Sequence, residues 1–103
     1  MYFIMRFDIL PGKMNQVDKF LDEELVPYWL SHNEVHSIQV FEDKFIGWPE
    51  RTVMIEVDDL CALQKILASG ETRQMKEHFT SYAGDIQTQI MDKVPQKPQT
   101  GHN

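Results

Sequence analysis

The sequence predicts an α+β domain, an antiparallel four-stranded sheet with helices on one face. Three observations carry this. The runs Val35–Ile46 and Arg51–Val57 are rich in β-branched and aromatic residues and are joined only by Gly47-Trp48-Pro49-Glu50. That link is too short for a crossover helix, so the two strands are antiparallel neighbours. Two further strand-like runs open and close the chain, and stretches of helical period lie between the members of each outer pair.

The first strand is Tyr2–Ile9. Phe3, Met5, Phe7 and Ile9 line one side, and Tyr2, Ile4, Arg6 and Asp8 the other. Pro11-Gly12 ends it. From Lys13 to Leu30 the apolar residues Met14, Val17, Leu21, Leu25 and Tyr28 recur at helical spacing, widened by Phe20 and Trp29. Pro27 has no amide hydrogen to donate, which predicts a kink or break in the last turn. In the central hairpin, alternation puts Ile38 and Val40 on one side and Val35 and Phe41 on the other, and Val53, Ile55 and Val57 alternate with Thr52, Met54 and Glu56. Asp58-Asp59 caps a helix over Leu60–Ala68, with Leu60, Leu63 and Leu67 inward, and Ser69-Gly70 stops it. A helix over Thr72–Tyr82 places Met75, Phe79 and Tyr82 on one stripe and ends at Gly84. The last strand is Asp85–Val94, with Ile86, Ile90 and Val94 on one face. One domain over residues 1–94 is expected, followed by a disordered tail, 95–103, which has two prolines and almost no apolar residue. The order β-α-β-β-α-β is the ferredoxin-like pattern.

Composition bounds the function. At 103 residues the chain fits one modest domain, and 42% apolar with 25% charged residues is ordinary for a globular protein. A net charge of −6 argues against nucleic-acid or anionic-membrane partners, which need clustered Lys and Arg. The lone Cys61 excludes an intrachain disulfide and suits a reducing compartment. No secretory leader or membrane span is read from the sequence, so a cytoplasmic location is expected.

Helices can cover one face of such a sheet, yet apolar side chains occur at both parities. The uncovered face therefore points to a homodimer that buries sheet against sheet. Here the chain resembles the dimeric α/β-barrel superfamily, which includes small monooxygenases of the antibiotic-biosynthesis type, muconolactone isomerases and stress-responsive barrel proteins. The resemblance rests on the element order over Met1–Val94 and on Thr52–Leu67, where the strand VMIEV runs straight into DDLCALQKIL. It implies a homodimer with a cleft in each subunit between sheet and helices. It also implies that oxidation without a cofactor, with the substrate itself activating oxygen, is within the group's chemistry.

Particular chemistries find less support. Haem-degrading members of the group carry an Asn on the first strand, a Trp at the end of the third and a helical His. Of these only His78 is present. The opening YFIMRFDI is similar to muconolactone isomerases, but the similarity ends after Leu10 and transfers no catalytic residue. Asp8 or Glu56 would serve in proton transfer only if buried. His32 and His36 have i, i+4 spacing, but the helix ends between them and no third ligand is near, so no metal is expected. No glycine-rich fingerprint marks a nucleotide cofactor, and none is expected. Cys61 lies in a first helical turn without an evident base beside it.

The candidate ligand site is an apolar cleft lined from Phe7, Tyr28, Trp29, His78 and Tyr82, suited to a small hydrophobic or aromatic molecule. Trp48, on the hairpin turn, could hold a flat apolar ligand, but an aromatic residue of that size is more often a core or dimer contact. Two functions remain open: binding or converting such a molecule, by oxygenation or isomerisation, or a non-enzymatic homodimeric interaction or ligand-sensing module. Polar groups converging on an enclosed pocket would favour the first. A cleft filled by Leu21, Leu63 and Phe79 would favour the second.

Overall fold

The computed structural model describes residues 1–95; the expected tail beyond Pro95 lies outside them. The elements run β1 (Tyr2–Ile9), α1 (Met14–Phe20), a π-helical turn (Leu21–Leu25), α2 (Val26–Leu30), β2 (Val35–Glu42), β3 (Arg51–Val57), α3 (Leu60–Leu67), α4 (Gly70–Phe79) and β4 (Ala83–Met91). The four strands form one antiparallel sheet in the order β2-β3-β1-β4. With the helices between β1 and β2 and between β3 and β4, this is the ferredoxin-like α+β arrangement.

Cross-strand partners share a face, so the register assigns every side chain. Phe3 pairs with Ile55 and Met5 with Val53, and these, with Phe7 and Val57, are buried beneath the helices. Val17, Phe20, Leu21, Leu25 and Trp29 from the first helical rod, and Leu63, Ile66 and Phe79 from α3 and α4, complete one core. No buried polar side chain interrupts it among the described residues.

Four local features depart from the sequence reading. A bulge between Val35 and Ser37 inserts one residue and flips the parity of β2, so Val35 shares the covered face with Ile38 and Val40 instead of opposing them. The rod does not break at Pro27. The turn before it widens, with the Val26 amide donating to the Leu21 carbonyl, and helical dihedrals continue to Ser31. The wider turn accommodates a ring that would otherwise press on the carbonyl four residues back. Ser69 starts a helix as well as ending one, its side chain accepting from the Thr72 amide at the head of α4. Finally, α4 ends at Phe79, and Gly84 belongs to β4, where a bulge in the β1–β4 pairing sets Asp85 at φ 49°. Gly84 sits against Leu10, and a Cβ there would come within 3.2 Å of the Leu10 side chain.

β2 also stops short of its predicted end. The Asp43 carboxylate accepts from the amides of Phe45 (2.7 Å), Ile46 (2.7 Å) and Gly47 (3.1 Å) and folds those residues out of the ladder. These bonds hold its carboxyl below the ordinary aspartate range, the Gly47 amide contributing most. The result is an arm over residues 43–50 that displays Phe45, Ile46 and Trp48 at 97%, 72% and 63% exposure.

Candidate functional site

The five predicted site residues do not surround one opening. Phe7 is fully packed, its ring edge-on to Phe79 at 4.7 Å, and Trp29 is buried against Phe3 at 5.7 Å. Tyr28 is half-buried, and its hydroxyl lies 2.9 Å from Ser69 Oγ and 2.6 Å from Thr72 Oγ1. Those two hydroxyls also donate to the Ile66 carbonyl. Tyr28 thereby ties the first rod to the α3–α4 junction. With Leu21, Leu63 and Phe79 all buried, the space between sheet and helices is filled at its centre.

His78 and Tyr82 do come together, with a residue that the sequence reading missed. His78 Nδ1 is 3.2 Å from Glu24 Oε1, and Nε2 is 2.8 Å from Tyr82 Oη. A carboxylate only accepts, so Nδ1 carries the hydrogen, and in the neutral ring Nε2 accepts from the tyrosine. The Phe20 ring backs the group, 5.3 Å from His78 and 6.1 Å from Tyr82. This carboxylate–imidazole–phenol chain can hold or relay a proton, and His78 is 44% exposed at the surface. Glu24 is 54 residues away in sequence and belongs to the π-turn, so no local pattern linked them.

The opposite flank of the same rod carries a groove. Leu21 and Val26, with Val40 of β2, form its apolar part, Asp18 and Asp22 are its acidic side, and it holds about 320 Å³. Arg51, largely covered, forms ion pairs with Asp18 and Glu42 (3.4 and 3.3 Å). A second hollow of about 290 Å³ lies on the other sheet face, at the root of the arm, between Arg6, Phe41, Thr52 and Pro49. Both are open to solvent. His32 and His36 have separate partners, the Tyr28 carbonyl at 3.0 Å and the Asp58 carboxylate. Among the described residues no group of three potential ligands could hold a metal ion, and no helix is long and apolar enough to cross a membrane.

The geometry defines a class first: a ferredoxin-like α+β domain with one covered and one open sheet face. Comparison with solved structures narrows it. An antibiotic biosynthesis monooxygenase superposes with a TM-score of 0.74 at 23% identity, covering 91% of this chain and 98% of its own. A Mycobacterium tuberculosis protein gives 0.76 at 12% identity, covering 94% and 97%. SnoaB, a cofactor-independent oxygenase from Streptomyces nogalater, gives 0.70 at 9% identity, covering 90% and 93%. The chain thus shares its fold, the ferredoxin-like α+β arrangement, with these proteins. No protein-family model and no curated protein matches its sequence.

Proposed function

We propose that the protein is a homodimeric binding module, two copies meeting through the open face of the sheet. Each copy holds a small hydrophobic or aromatic molecule in the groove between the first helical rod and β2. The observation that carries the reading is that groove, with Leu21, Val26 and Val40 against Asp18 and Asp22. Its volume lies at the lower end of small-ligand sites, roughly 300–1,000 Å³. The filled centre of the layer supports a site at the margin and favours binding over catalysis. A dimer accounts for the apolar residues of the second sheet face, and a cytoplasmic location fits the single cysteine.

The test is titration with a planar phenol such as 1-naphthol, followed by amide shifts in NMR spectra. Saturable shifts clustered on residues 18–26 and around Val40, absent in Val40→Trp, are expected. Shifts spread over the whole surface would discard the groove. Light scattering at micromolar concentration reads the dimer separately.

A second reading, conversion of the bound molecule, has its own observation in the Glu24–His78–Tyr82 chain. His78 is suited to take a proton from an acidic substrate, and the fold is shared with proteins described as oxygenases. Oxygen consumption with the same phenol, abolished in His78→Ala, would establish it. Consumption unchanged by that variant would remove His78 from any such role.

A further inference from the structure

The groove between the first helical rod and β2 carries a row of residues four apart on its rod side, Asp18, Asp22 and Val26, with Leu21 beside them and Val40 across. That spacing sets the row on one side of the rod, with steps of about 6 Å along the axis. Two carboxylates therefore stand at one end and apolar side chains at the other. None of these lining residues is basic. The two carboxylates differ in their neighbours. Asp18 pairs with Arg51, Arg51 with Glu42, and Glu42 with Lys44. In this chain of alternating sign the charges of Asp18 and Glu42 cancel those of Arg51 and Lys44. A hydrogen bond with Lys44 helps to hold the Glu42 carboxyl below its ordinary range. Asp22 stands outside the chain and forms no ion pair among the described residues. It is the one uncompensated charge in the groove lining.

A neutral molecule leaves that charge to water, and an anion is repelled by it. A monocation with an apolar body answers both ends of the groove. Its ammonium donates to the Asp22 carboxylate while the body lies over Leu21, Val26 and Val40. One free charge matches one amine, so a second ammonium on the same molecule gains no further partner. The groove is open to solvent, and the pair contributes as an exposed ion pair does, a few-fold in affinity. Its effect is therefore on choice among ligands more than on strength. We propose that the groove selects apolar monoamines over neutral and acidic molecules of the same shape, and that Asp22 is the residue that selects. This rests on the reading of the groove as the ligand site.

NMR titration of the full chain at low salt tests it with 1-naphthylmethylamine, 1-naphthalenemethanol and 1-naphthoic acid, which share one ring system. The wild type is expected to bind the amine roughly three- to five-fold more tightly than the alcohol, and the acid more weakly than either. In Asp22→Asn the amine and the alcohol bind alike. The alcohol binds this variant as it binds the wild type, which reads the fold and the apolar part of the groove as intact. Glu23→Gln removes the same overall charge from a neighbour that does not line the groove, and it keeps the preference. Equal losses of preference in the two variants assign it to the general field of a chain of net charge −6 and overturn the role of Asp22. Three ligands bound alike by the wild type overturn the selection and leave the groove standing. Shifts from none of the three at residues 18–26 and Val40 overturn the groove and the selection together.

Discussion

The two faces of the sheet solve different problems with the same alternation. On the covered face Phe3, Met5, Phe7, Val53, Ile55 and Val57 are all apolar and all buried. On the open face Ile4 is buried to 2% exposure, yet its neighbours along β1 are Tyr2 and Arg6 and its partners across the sheet are Met54 and Gln89. The first face is uniform because helices of one chain seal it. The second mixes apolar and charged residues in rows, as a contact between separate molecules does: apolar at the middle, polar around it. The comparison teaches that an apolar residue at both parities does not make the two faces alike; the company each keeps separates a sealed core from an open face.

The strongest way to break that contrast is on the covered side. Phe7→Ala removes a ring held between sheet and α4 and is expected to cost about 3–5 kcal/mol, read by urea denaturation. A loss below about 1 kcal/mol would mean that this face is not the core. On the open side, Met54→Glu is expected to leave the circular dichroism spectrum of the chain intact while raising the dimer dissociation constant roughly ten-fold or more. Unfolding in place of dissociation would erase the distinction between the faces. Smaller is Asp59→Ala, which removes the side chain accepting from the Ala62 amide at 2.8 Å and is expected to destabilise the chain by about 1 kcal/mol without touching association.

The smallest effect is local to the arm. The Asp43 carboxyl is held below its ordinary range in the folded chain, so the three amide bonds persist above that range and are lost as pH falls through the depressed value. NMR titration is expected to show the Phe45, Ile46 and Gly47 amides shifting together in acid, below the titration of ordinary aspartates, with the sheet unmoved. Shifts at the ordinary aspartate range would sever the carboxylate from the turn.

Much of this fold is legible in the sequence because strand and helix periods are local. Val53, Ile55 and Val57 announce β3, and Asp59 before Leu60 announces α3. The failures are also local in form but not in cause. One inserted residue at His36 reverses the parity of Val35, and nothing in the run VHSIQV marks it. Pro27 signals trouble in the rod, but the relief appears upstream as the π-turn. The site was less legible. Phe7 and Trp29 read in the sequence as aromatics near a cleft, and the chain spends both on packing. Glu24 meets His78, and Val40 meets Leu21 and Val26, only once the rod lies across the sheet.

The clasp at Asp43 has a consequence for how this chain can vary. Backbone amides make the turn, and they are the same whatever side chains follow. The residues presented at 45 and 46 are therefore interchangeable without reshaping their support, and one conserved acid would let descendants of this protein trial new tips on an old mount.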